Sequence, residues 1–350
     1  MKKLLLVLAS VLGLSANVSA HDLADAMDRV LPSIAYIRVE RFQQRDRVNE
    51  TTREVTKVDI PASPIVGSGF IIDSNKVVTN YHVISYAVQN NTKVFITLID
   101  SNARYEGKIL GYDKVADVAL LEIEGDHPSV IISPSTQLRM GDIVFSISNF
   151  YGIGWSGTQG TVSSNSRDDT RYPYIKNLQL QLLTGTGSSG GPVFNDQGEV
   201  VALNRSIVSM FPTQSLFART RSPSMLSMVA FPVRADSVIK SLDRIRDELV
   251  VKRVDLGARL LEFGSDSAFH TNEDSDFQTG IIVVLIDKDV VTTLKNSDLI
   301  VSVEGKEFIS PADLLTWLDK NYSENDSVNV QVYRGEEIIN IAVTLRTAGD

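Results

Sequence analysis

The sequence predicts a mainly β protein with two folded units, the second of which is a small α+β domain. Between residues 66 and 203, short strands alternate with turn signals, which is typical of antiparallel barrels or sandwiches. Beyond Val250 the composition changes, and the remaining stretch of about 100 residues is the right size for one small domain. We therefore expect a large unit over 21–250 and a C-terminal unit over 251–350.

Short apolar or alternating runs bounded by turn residues indicate the strands of the large unit. The first lies at 33–40, and the clearest of the others are 69–73, 76–80, 93–99, 118–123, 142–147 and 199–204. Residues 41–64 are polar and charged and lack an apolar repeat. We interpret them as a long mobile loop, since loops of that length are usually functional or disordered.

Apolar residues at helical spacing predict three helices. The first ends at Pro32, and the second covers 238–249 with Asp236 or Ser237 as its N-cap. The third runs from about Pro311 to Lys320, because proline is favoured in the first helical turn. The predicted strands of the C-terminal unit are 280–286 and 298–303, followed by a hairpin of 328–333 with 338–345.

Residues 1–20 have the three parts of a secretory signal. Two lysines precede an apolar run from Leu4 to Leu14, and Val18 and Ala20 give the small-residue pattern for cleavage after Ala20. We expect the mature chain in a bacterial periplasm, with no stable membrane span. The alternative is an uncleaved anchor facing the periplasm, although the apolar run is shorter than the ~20 residues that cross a bilayer.

Composition argues against several classes of function. The net charge of −9 and the pI of about 5.1 argue against nucleic acid as the main partner, because phosphate binding requires a basic face. The chain contains no cysteine, which excludes disulfides, zinc–thiolate sites and a thiol nucleophile. No segment has the spacing of a metal cluster or of a cofactor-binding loop, so we expect neither a metal nor a cofactor.

Three segments carry the residue types that acyl transfer by a serine requires. They are Gly67-Ser68-Gly69-Phe70 with the following Thr79-Asn80-Tyr81-His82-Val83, then Ala116-Asp117-Val118-Ala119, then Gly187-Ser188-Ser189-Gly190-Gly191-Pro192. A serine hydroxyl is a weak nucleophile near neutral pH and needs an adjacent base. A carboxylate must hold that base in one tautomer, and backbone N–H groups must bind the oxyanion.

His82, Asp117 and Ser189 are the candidate catalytic triad. His82 follows an apolar strand, and an imidazole can serve first as base and then as acid near neutral pH. Asp117 begins an apolar run that would root it in the core. Asp113, four residues earlier, is the competing carboxylate.

The glycines around Ser189 make it the strongest single candidate. They allow backbone turns that other residues cannot adopt, so that the N–H groups of Gly187 and Ser189, with Ser188 between them, form a candidate oxyanion hole. Ser188 is the alternative nucleophile, ranked lower because Ser-Gly-Gly-Pro fixes the register at Ser189. The other interpretation of this segment is a flexible linker, which apolar strands would not normally flank.

Together these motifs resemble the HtrA/Deg family of serine proteases. Gly-Ser-Gly-Phe, Thr-Asn-x-His-Val, Asp-Val-Ala-Leu-Leu and Gly-x-Ser-Gly-Gly-Pro occur in family order. The resemblance implies two six-stranded β-barrels of trypsin-like fold with the triad between them. It also implies ATP-independent attack on unfolded proteins, and a homotrimer. The family's PDZ domain would occupy the C-terminal unit once only, as in DegS-like members.

The resemblance also implies two binding elements. Val254-Asp255-Leu256-Gly257 falls where the family has the loop that captures a peptide's C-terminal carboxylate, and strand 280–284 would pair with that peptide. Ile207 and Val208 match the loop that lines the S1 pocket, and an apolar wall there would favour small aliphatic side chains. A PDZ-like fold that binds no peptide, and plain core packing at 207 and 208, remain alternatives.

Two further interpretations stay open at the level of the sequence. The long segment 205–228 would either close over the site or become ordered only with a partner. By position, 163–172 matches the family's sensor loop, with Arg167 and Arg171 as its cations. For the whole chain, the leading hypothesis is a serine endopeptidase, and the alternative is a catalytically silent chaperone or peptide-binding scaffold of the same fold.

Overall fold

A computed structural model describes most of the chain beyond the predicted signal. The described residues are 20–48, 53, 55–101, 103–152, 154–167, 174–205, 227–263, 280–286 and 292–348. Its α-helices are α1 (Ala20–Val30), α2 (Tyr81–Asn90), α3 (Ala235–Glu248) and α4 (Pro311–Asn321). No helix among these residues combines the length and apolar character needed to span a bilayer.

The first barrel is built from the strands that precede and follow α2. Its region contains β1 (Ile34–Val39), β2 (Phe42–Val48), β3 (Val55–Pro61), β4 (Ile65–Ile72), β5 (Lys76–Thr79), β6 (Val94–Leu98), β7 (Arg104–Asp113) and β8 (Val118–Glu122). Six of them close in the order β1-β4-β5-β8-β7-β6. Alternate side chains point inward, and Ile37, Ile71, Val77, Ile96 and Leu121 are fully buried in this barrel's core.

The second barrel is also a closed ring of six strands. Its strands are β9 (Ile143–Asn149), β10 (Trp155–Arg167), β11 (Asn177–Thr184), β12 (Pro192–Phe194), β13 (Val200–Leu203), β14 (Ser227–Ala230) and β15 (Val233–Arg234). The ring closes as β9-β12-β13-β15-β11-β10, because β10 pairs with both β9 and β11, and β14 adds to β11. The double six-stranded barrel expected from the resemblance is confirmed.

The interpretation of residues 41–64 as a loop is wrong over most of its length. β2 and β3 form an antiparallel hairpin in continuous register from Phe42↔Pro61 to Val48↔Val55. Every residue of β2 is exposed, and most of β3 is as well. Neither face packs on a core, so the sequence carries no apolar alternation by which the strands could be recognised.

Helix α3 connects the barrels to the C-terminal unit. It buries Val238, Leu242 and Ile245 on one face and packs against β7, β8 and β13. Its N-cap is Arg234 rather than the predicted Asp236 or Ser237. The Asp236 carboxylate instead accepts the Ser135 N–H (3.1 Å) and pairs with Arg234 (2.9 Å), a tertiary role that propensity does not indicate.

The C-terminal unit is a sheet covered by α4. Its strands are β16 (Val254–Asp255), β17 (Ala258–Phe263), β18 (Gly280–Ile286), β19 (Leu299–Val303), β20 (Ser327–Arg334), β21 (Glu337–Thr344) and β22 (Arg346–Thr347). The main sheet has the order β17-β18-β19-β20-β21, and β16 pairs with β22. Leu314, Leu315 and Leu318 of α4 are buried in a hydrophobic cluster that continues into the protease barrels.

Candidate active site

His82 lies in the first turn of α2, directly after barrel strand β5. Asn80, between them, has extended backbone (φ −79°, ψ 146°), which turns the chain from strand into helix. The imidazole is 40% exposed, whereas the side chain of Asp117 is 2% exposed. One edge of the ring is therefore directed into the protein, and the rest faces the surface.

The carboxylate of Asp117 holds that buried edge. His82 Nδ1 lies 2.9 Å from Oδ2 and 3.1 Å from Oδ1 of Asp117, and the His82 backbone N–H donates to Oδ1 at 2.9 Å. An imidazole gripped on Nδ1 by a carboxylate keeps its proton there, which leaves the lone pair on Nε2. The pair therefore presents a base toward the surface.

The backbone of Asp117 adopts the left-handed region, with φ +58°. Aspartate tolerates this region better than most residues do. The Asn80 side-chain amide donates to the Asp117 carbonyl at 2.9 Å and fixes this conformation from the helix side. Burial raises the pKa of the neighbouring Tyr81, with Tyr112 and the Asp117 charge adding to the rise and a hydrogen bond with Gln89 opposing it, so the Tyr81 phenol stays neutral near neutral pH.

The competing carboxylate, Asp113, lies in a different contact network. Its Oδ2 accepts the Ser241 hydroxyl at 2.9 Å and the Arg253 Nη2 at 2.5 Å, and Asp113 is fully buried. The structure describes no contact between Asp113 and His82. Of the two aspartates, it brings only Asp117 to the histidine.

Ser189 lies on a loop that is anchored to both barrels. From the first barrel, the Ser68 N–H of β4 donates to the Ser189 carbonyl at 2.7 Å. From the second, the Asn204 carbonyl accepts the Gly190 N–H and the Asn204 N–H donates to the Gly191 carbonyl, both at 2.8 Å. Gly190 has φ +82°, a conformation that favours glycine, so the tight turn after the serine depends on it.

Ser188 is unsuited to either role that the sequence left open for it. Its hydroxyl donates to the Gly185 carbonyl at 2.7 Å, and its N–H donates to the same carbonyl at 3.0 Å. Ser188 is fully buried. The inclusion of Ser188 among the oxyanion donors is therefore wrong for this structure, because its N–H is already bonded within the loop. No described residue accepts a hydrogen bond from the N–H group of Gly187 or of Ser189.

The structure brings the loop of Ser189 and the residue after His82 to Gly67 of β4. A Cβ placed on Gly67 would lie 2.7 Å from the side chain of Val83 and 3.1 Å from the Ser189 carbonyl. The helix of the histidine and the loop of the serine therefore meet across one glycine. Among the described residues, no hydrogen bond joins the Ser189 hydroxyl to His82, and Ser189 is 4% exposed.

Known serine proteases are similar to this chain along nearly its whole length. Residues 67–203 match the family model of the trypsin-like peptidase domain. The periplasmic pH-dependent serine endoprotease DegQ of Escherichia coli K12 is 28% identical over 343 residues, covering 93% of this chain and 70% of DegQ. A probable periplasmic serine endoprotease, DegP-like, of Pseudomonas putida W619 is 31% identical over 252 residues, covering 71% of this chain and 49% of that protein.

The chain is similar to the trypsin-like serine endoproteases of the HtrA/Deg family.

Solved structures of the family share the fold. The HtrA-type protease AlgW with a decapeptide has a TM-score of 0.65 at 18% identity, covering 94% of this chain and 99% of its own. The serine endoprotease from Yersinia pestis has a TM-score of 0.58 at 19% identity, covering 93% and 97%. The chain spans 70% of the length of DegQ and 49% of the length of the DegP-like relative.

The segment predicted to bind a peptide carboxylate, Val254–Gly257, is tightly folded. Leu256 is fully buried, and Gly257 has φ +71°. The Gly257 N–H donates to Asp255 Oδ1 at 2.8 Å, and that carboxylate also accepts Arg346 Nε at 2.9 Å. Val254 accepts a hydrogen bond from the Tyr174 hydroxyl of the protease unit. The loop is thus attached to the barrels on one side.

The expectation that strand 280–284 would pair with a peptide is wrong. That strand, β18, pairs with β17 on one side and with β19 on the other, so neither of its edges is open. Among the described strands, β17 pairs only with β18 and follows directly after Gly257. The edge next to the loop therefore belongs to β17.

The candidate S1 residues Ile207 and Val208 lie outside the described residues, as do Arg171 and nearly all of segment 205–228. Arg205, at its start, is buried, and its Nη2 donates to Asn177 Oδ1 at 3.3 Å. Arg167 Nε donates to Gln179 Oε1 at 3.0 Å on the barrel surface.

Sequence reasoning missed three buried polar residues whose hydrogen bonds hold the backbone of the site in place. Ser68, Asn80 and Asn204 are buried, and each donates a hydrogen bond to the backbone around Ser189 or Asp117. The available signal was a short polar residue inside an otherwise apolar strand motif. Buried polar groups need partners, so such residues mark places where the backbone is held.

Proposed function

We propose that this chain is an envelope serine endoprotease in which Ser189 is the nucleophile, His82 the general base and Asp117 the orienting carboxylate. The observation that supports this most directly is the grip of a buried carboxylate on His82 Nδ1, at 2.9 Å, beside a glycine-flanked serine. A base held in one tautomer next to a serine is the arrangement that acyl transfer requires.

In the first step, His82 Nε2 takes the hydroxyl proton while Ser189 Oγ bonds to the scissile carbonyl carbon. The carbonyl π electrons move to oxygen, and the N–H groups of Gly187 and Ser189 stabilise the negative charge. The imidazolium, stabilised by Asp117, then gives its proton to the leaving amine as the C–N bond breaks. Water repeats the sequence on the acyl-enzyme and releases the acid.

A rotation of the Ser189 side chain is part of this proposal. Ser189 Oγ and His82 are not hydrogen-bonded among the described residues, so the serine must turn toward Nε2 when substrate binds. Catalytic hydrogen bonds often tighten only in the substrate complex. Backbone bonds at 2.7 and 2.8 Å hold the carbonyl of Ser189 and the N–H of Gly190, so rotation of the side chain requires no movement of the loop ends.

For the substrate, we propose unfolded or misfolded envelope proteins, cleaved without ATP. DegQ and the DegP-like relatives are named as periplasmic serine endoproteases. Secretion through residues 1–20, with cleavage after Ala20, would deliver this chain to the same compartment. A homotrimer built through the protease unit remains part of the proposal.

The last part of the proposal is regulation by a peptide that binds to the C-terminal unit. A peptide would add as a strand to the outer edge of β17, with its terminal carboxylate near Val254–Gly257. AlgW, which shares the fold, has been solved with a decapeptide and with a tripeptide. The attachment of Val254 to Tyr174 offers a route by which the occupied loop could act on the barrels.

The test is hydrolysis of casein by the purified chain and by Ser189→Ala. We expect hydrolysis by the wild type, loss of nearly all of it in Ser189→Ala, and retention in Ser135→Ala. Ser135 is a matched control because it is a fully buried serine that makes no hydrogen bond to a site residue. Equal activity of wild type and Ser189→Ala would disprove hydrolysis at this site.

The assay is repeated with a panel of peptides that have hydrophobic C-termini. Activity that depends on such a peptide and still requires Ser189 would support the regulatory part of the proposal. Peptide binding without hydrolysis in any condition would identify the chain as the catalytically silent scaffold instead.

A further inference from the structure

Ser68 connects the first barrel to the nucleophile loop through its N–H and its hydroxyl. It lies on β4, opposite Tyr36 of β1, and is fully buried. Its N–H donates to the Ser189 carbonyl at 2.7 Å, and its hydroxyl donates to the Gly187 carbonyl at 2.8 Å. The two carbonyls that it binds belong to the residues whose N–H groups are the candidate oxyanion donors.

The hydroxyl of Ser68 is itself oriented by the surrounding structure. It accepts the backbone N–H of Asn149 at 3.2 Å, which directs its proton toward the Gly187 carbonyl. The Ser68 carbonyl accepts the hydroxyl of Thr79 at 2.8 Å. Thr79 ends β5, two residues before the helix of His82. Ser68 therefore connects strands of both barrels and the approach to the histidine.

Close approach of two backbones makes these bonds possible. A Cβ on Gly190 would lie 2.3 Å from the Ser68 carbonyl and 2.2 Å from Thr79 Oγ1, and one on Gly67 would lie 3.1 Å from the Ser189 carbonyl. Glycine on each side of the contact allows β4 and the loop to come within hydrogen-bonding distance. Ser68, the residue after Gly67 on β4, supplies the side-chain donor at this contact.

The bond to Gly187 fixes the orientation of one peptide unit. The Gly187 carbonyl and the Ser188 N–H are in the same plane, and they are bonded on opposite sides, to Ser68 and to Gly185. Without the Ser68 hydroxyl, this buried carbonyl would lose the only described partner that holds it toward β4. The Gly187 N–H belongs to the preceding peptide unit, which joins this one at the Gly187 Cα. Rotation of the fixed unit would therefore release the Gly187 backbone from its present conformation or bring the Gly187 carbonyl toward the oxyanion.

We propose that Ser68 is a positioning residue of the protease: its hydroxyl, bonded to the Gly187 carbonyl, holds the oxyanion loop with the Gly187 and Ser189 N–H groups free for the transition state. This inference rests on the proposed function, since it assigns a role in that reaction. It predicts a defect in the chemical step, because a misdirected oxyanion donor acts on the transition state rather than on substrate binding.

The experiment compares Ser68→Ala with Ser135→Ala in the full chain. Ser135 is the matched control: it is also fully buried, its hydroxyl donates to the Val201 carbonyl at 2.5 Å, and it accepts the Ala235 N–H at 2.9 Å. Each variant thus removes one donated and one accepted hydrogen bond. Labelled casein gives kcat and KM, a fluorophosphonate probe gives the reactivity of Ser189, and thermal melting gives the stability.

We expect Ser68→Ala to lower kcat by about 10- to 100-fold with KM within about twofold, the signature of an interaction made in the transition state. Fluorophosphonate labelling should slow by a similar factor. Ser135→Ala should melt at a similarly reduced temperature and keep kcat and labelling near wild type.

Two results would overturn the role of Ser68. One is a kcat of Ser68→Ala within about twofold of Ser135→Ala at equal stability; the other is a rise in KM with kcat unchanged, which would indicate lost substrate binding. Ser189→Ala in the same assay separates the two proposals. If wild type hydrolyses and Ser189→Ala does not, a normal Ser68→Ala refutes only the positioning role. If wild type neither hydrolyses nor is labelled, both without and with the hydrophobic C-terminal peptides, the proposed function fails, and the role of Ser68 fails with it.

Discussion

Two buried aspartates four residues apart, at either end of the turn before β8, have different tasks. Asp117 faces the half-exposed imidazole of His82, while Asp113 faces Arg253 of the C-terminal unit, which is 7% exposed. The first carboxylate orients the imidazole that exchanges protons with a substrate in the proposed reaction. The second neutralises a guanidinium that is almost entirely buried. Residue type and proximity in the sequence therefore do not tell which buried carboxylate faces the histidine and which neutralises an arginine.

The surroundings of Arg253 explain the difference. Burial acts to lower the pKa of the Arg253 guanidinium, but the carboxylates of Asp113 and Asp319 more than offset this, so the pKa is raised. Asp319 of α4 also pairs with Arg244 of α3. The network connects the first barrel, α3 and the C-terminal unit around a cleft of about 520 Å³. Asp113 thus holds two units together.

The comparison is tested most strongly by Asp117→Asn, which should lower kcat/KM by about 10⁴-fold. An amide in place of the carboxylate would donate to His82 Nδ1 and move the imidazole proton to Nε2, where the base is needed. The measurement is casein hydrolysis at neutral pH, with thermal melting to show that the fold is retained. Asp113→Asn is the matched variant, and activity per folded molecule should stay within a few-fold of wild type. The reverse pattern would make Asp113 the catalytic carboxylate.

The next largest effect is on stability. Asp113→Ala leaves the Arg253 guanidinium buried with only Asp319 at 3.3 Å, and should lower the free energy of unfolding by about 3 kcal/mol. Urea denaturation measures it. The double variant Asp113→Leu with Arg253→Met should recover most of the loss, because it removes both buried charges. If the single variant is as stable as wild type, Asp113 does not hold the units together.

The smallest effect is a pH dependence. Burial raises the pKa of Asp319, and Arg253 and Arg244 oppose the rise only in part. A carboxyl with a raised folded-state pKa stabilises the fold below its ordinary value of 3.8 and loses that contribution as pH rises through the folded-state value. The free energy of unfolding of wild type minus that of Asp319→Asn should therefore fall as pH rises above about 3.8. A difference that rises over this range would show the opposite shift.

Much of the fold and of the candidate site could be predicted from the sequence. The apolar alternation of barrel strands, the proline at the start of α4 and the Gly-x-Ser-Gly-Gly-Pro turn are local signals with local causes. The hairpin β2–β3 could not be predicted in this way, because it buries neither face and so leaves no periodic pattern. The pairing of both edges of β18 could not be predicted either, because the residues of one strand do not specify its neighbours in the sheet.

The sequence by itself determined which chemistry is possible: it has no thiol, it has a histidine after a buried strand, and it has a serine among glycines that permit a tight turn. Only the tertiary structure decided which aspartate meets that histidine, that the Ser188 N–H is already bonded, and that Ser68 reaches the loop from another barrel. Residue type and backbone freedom are local properties. Hydrogen-bond partners instead depend on how strands and loops pack, and the partner of the Ser68 hydroxyl lies 119 residues away in the sequence.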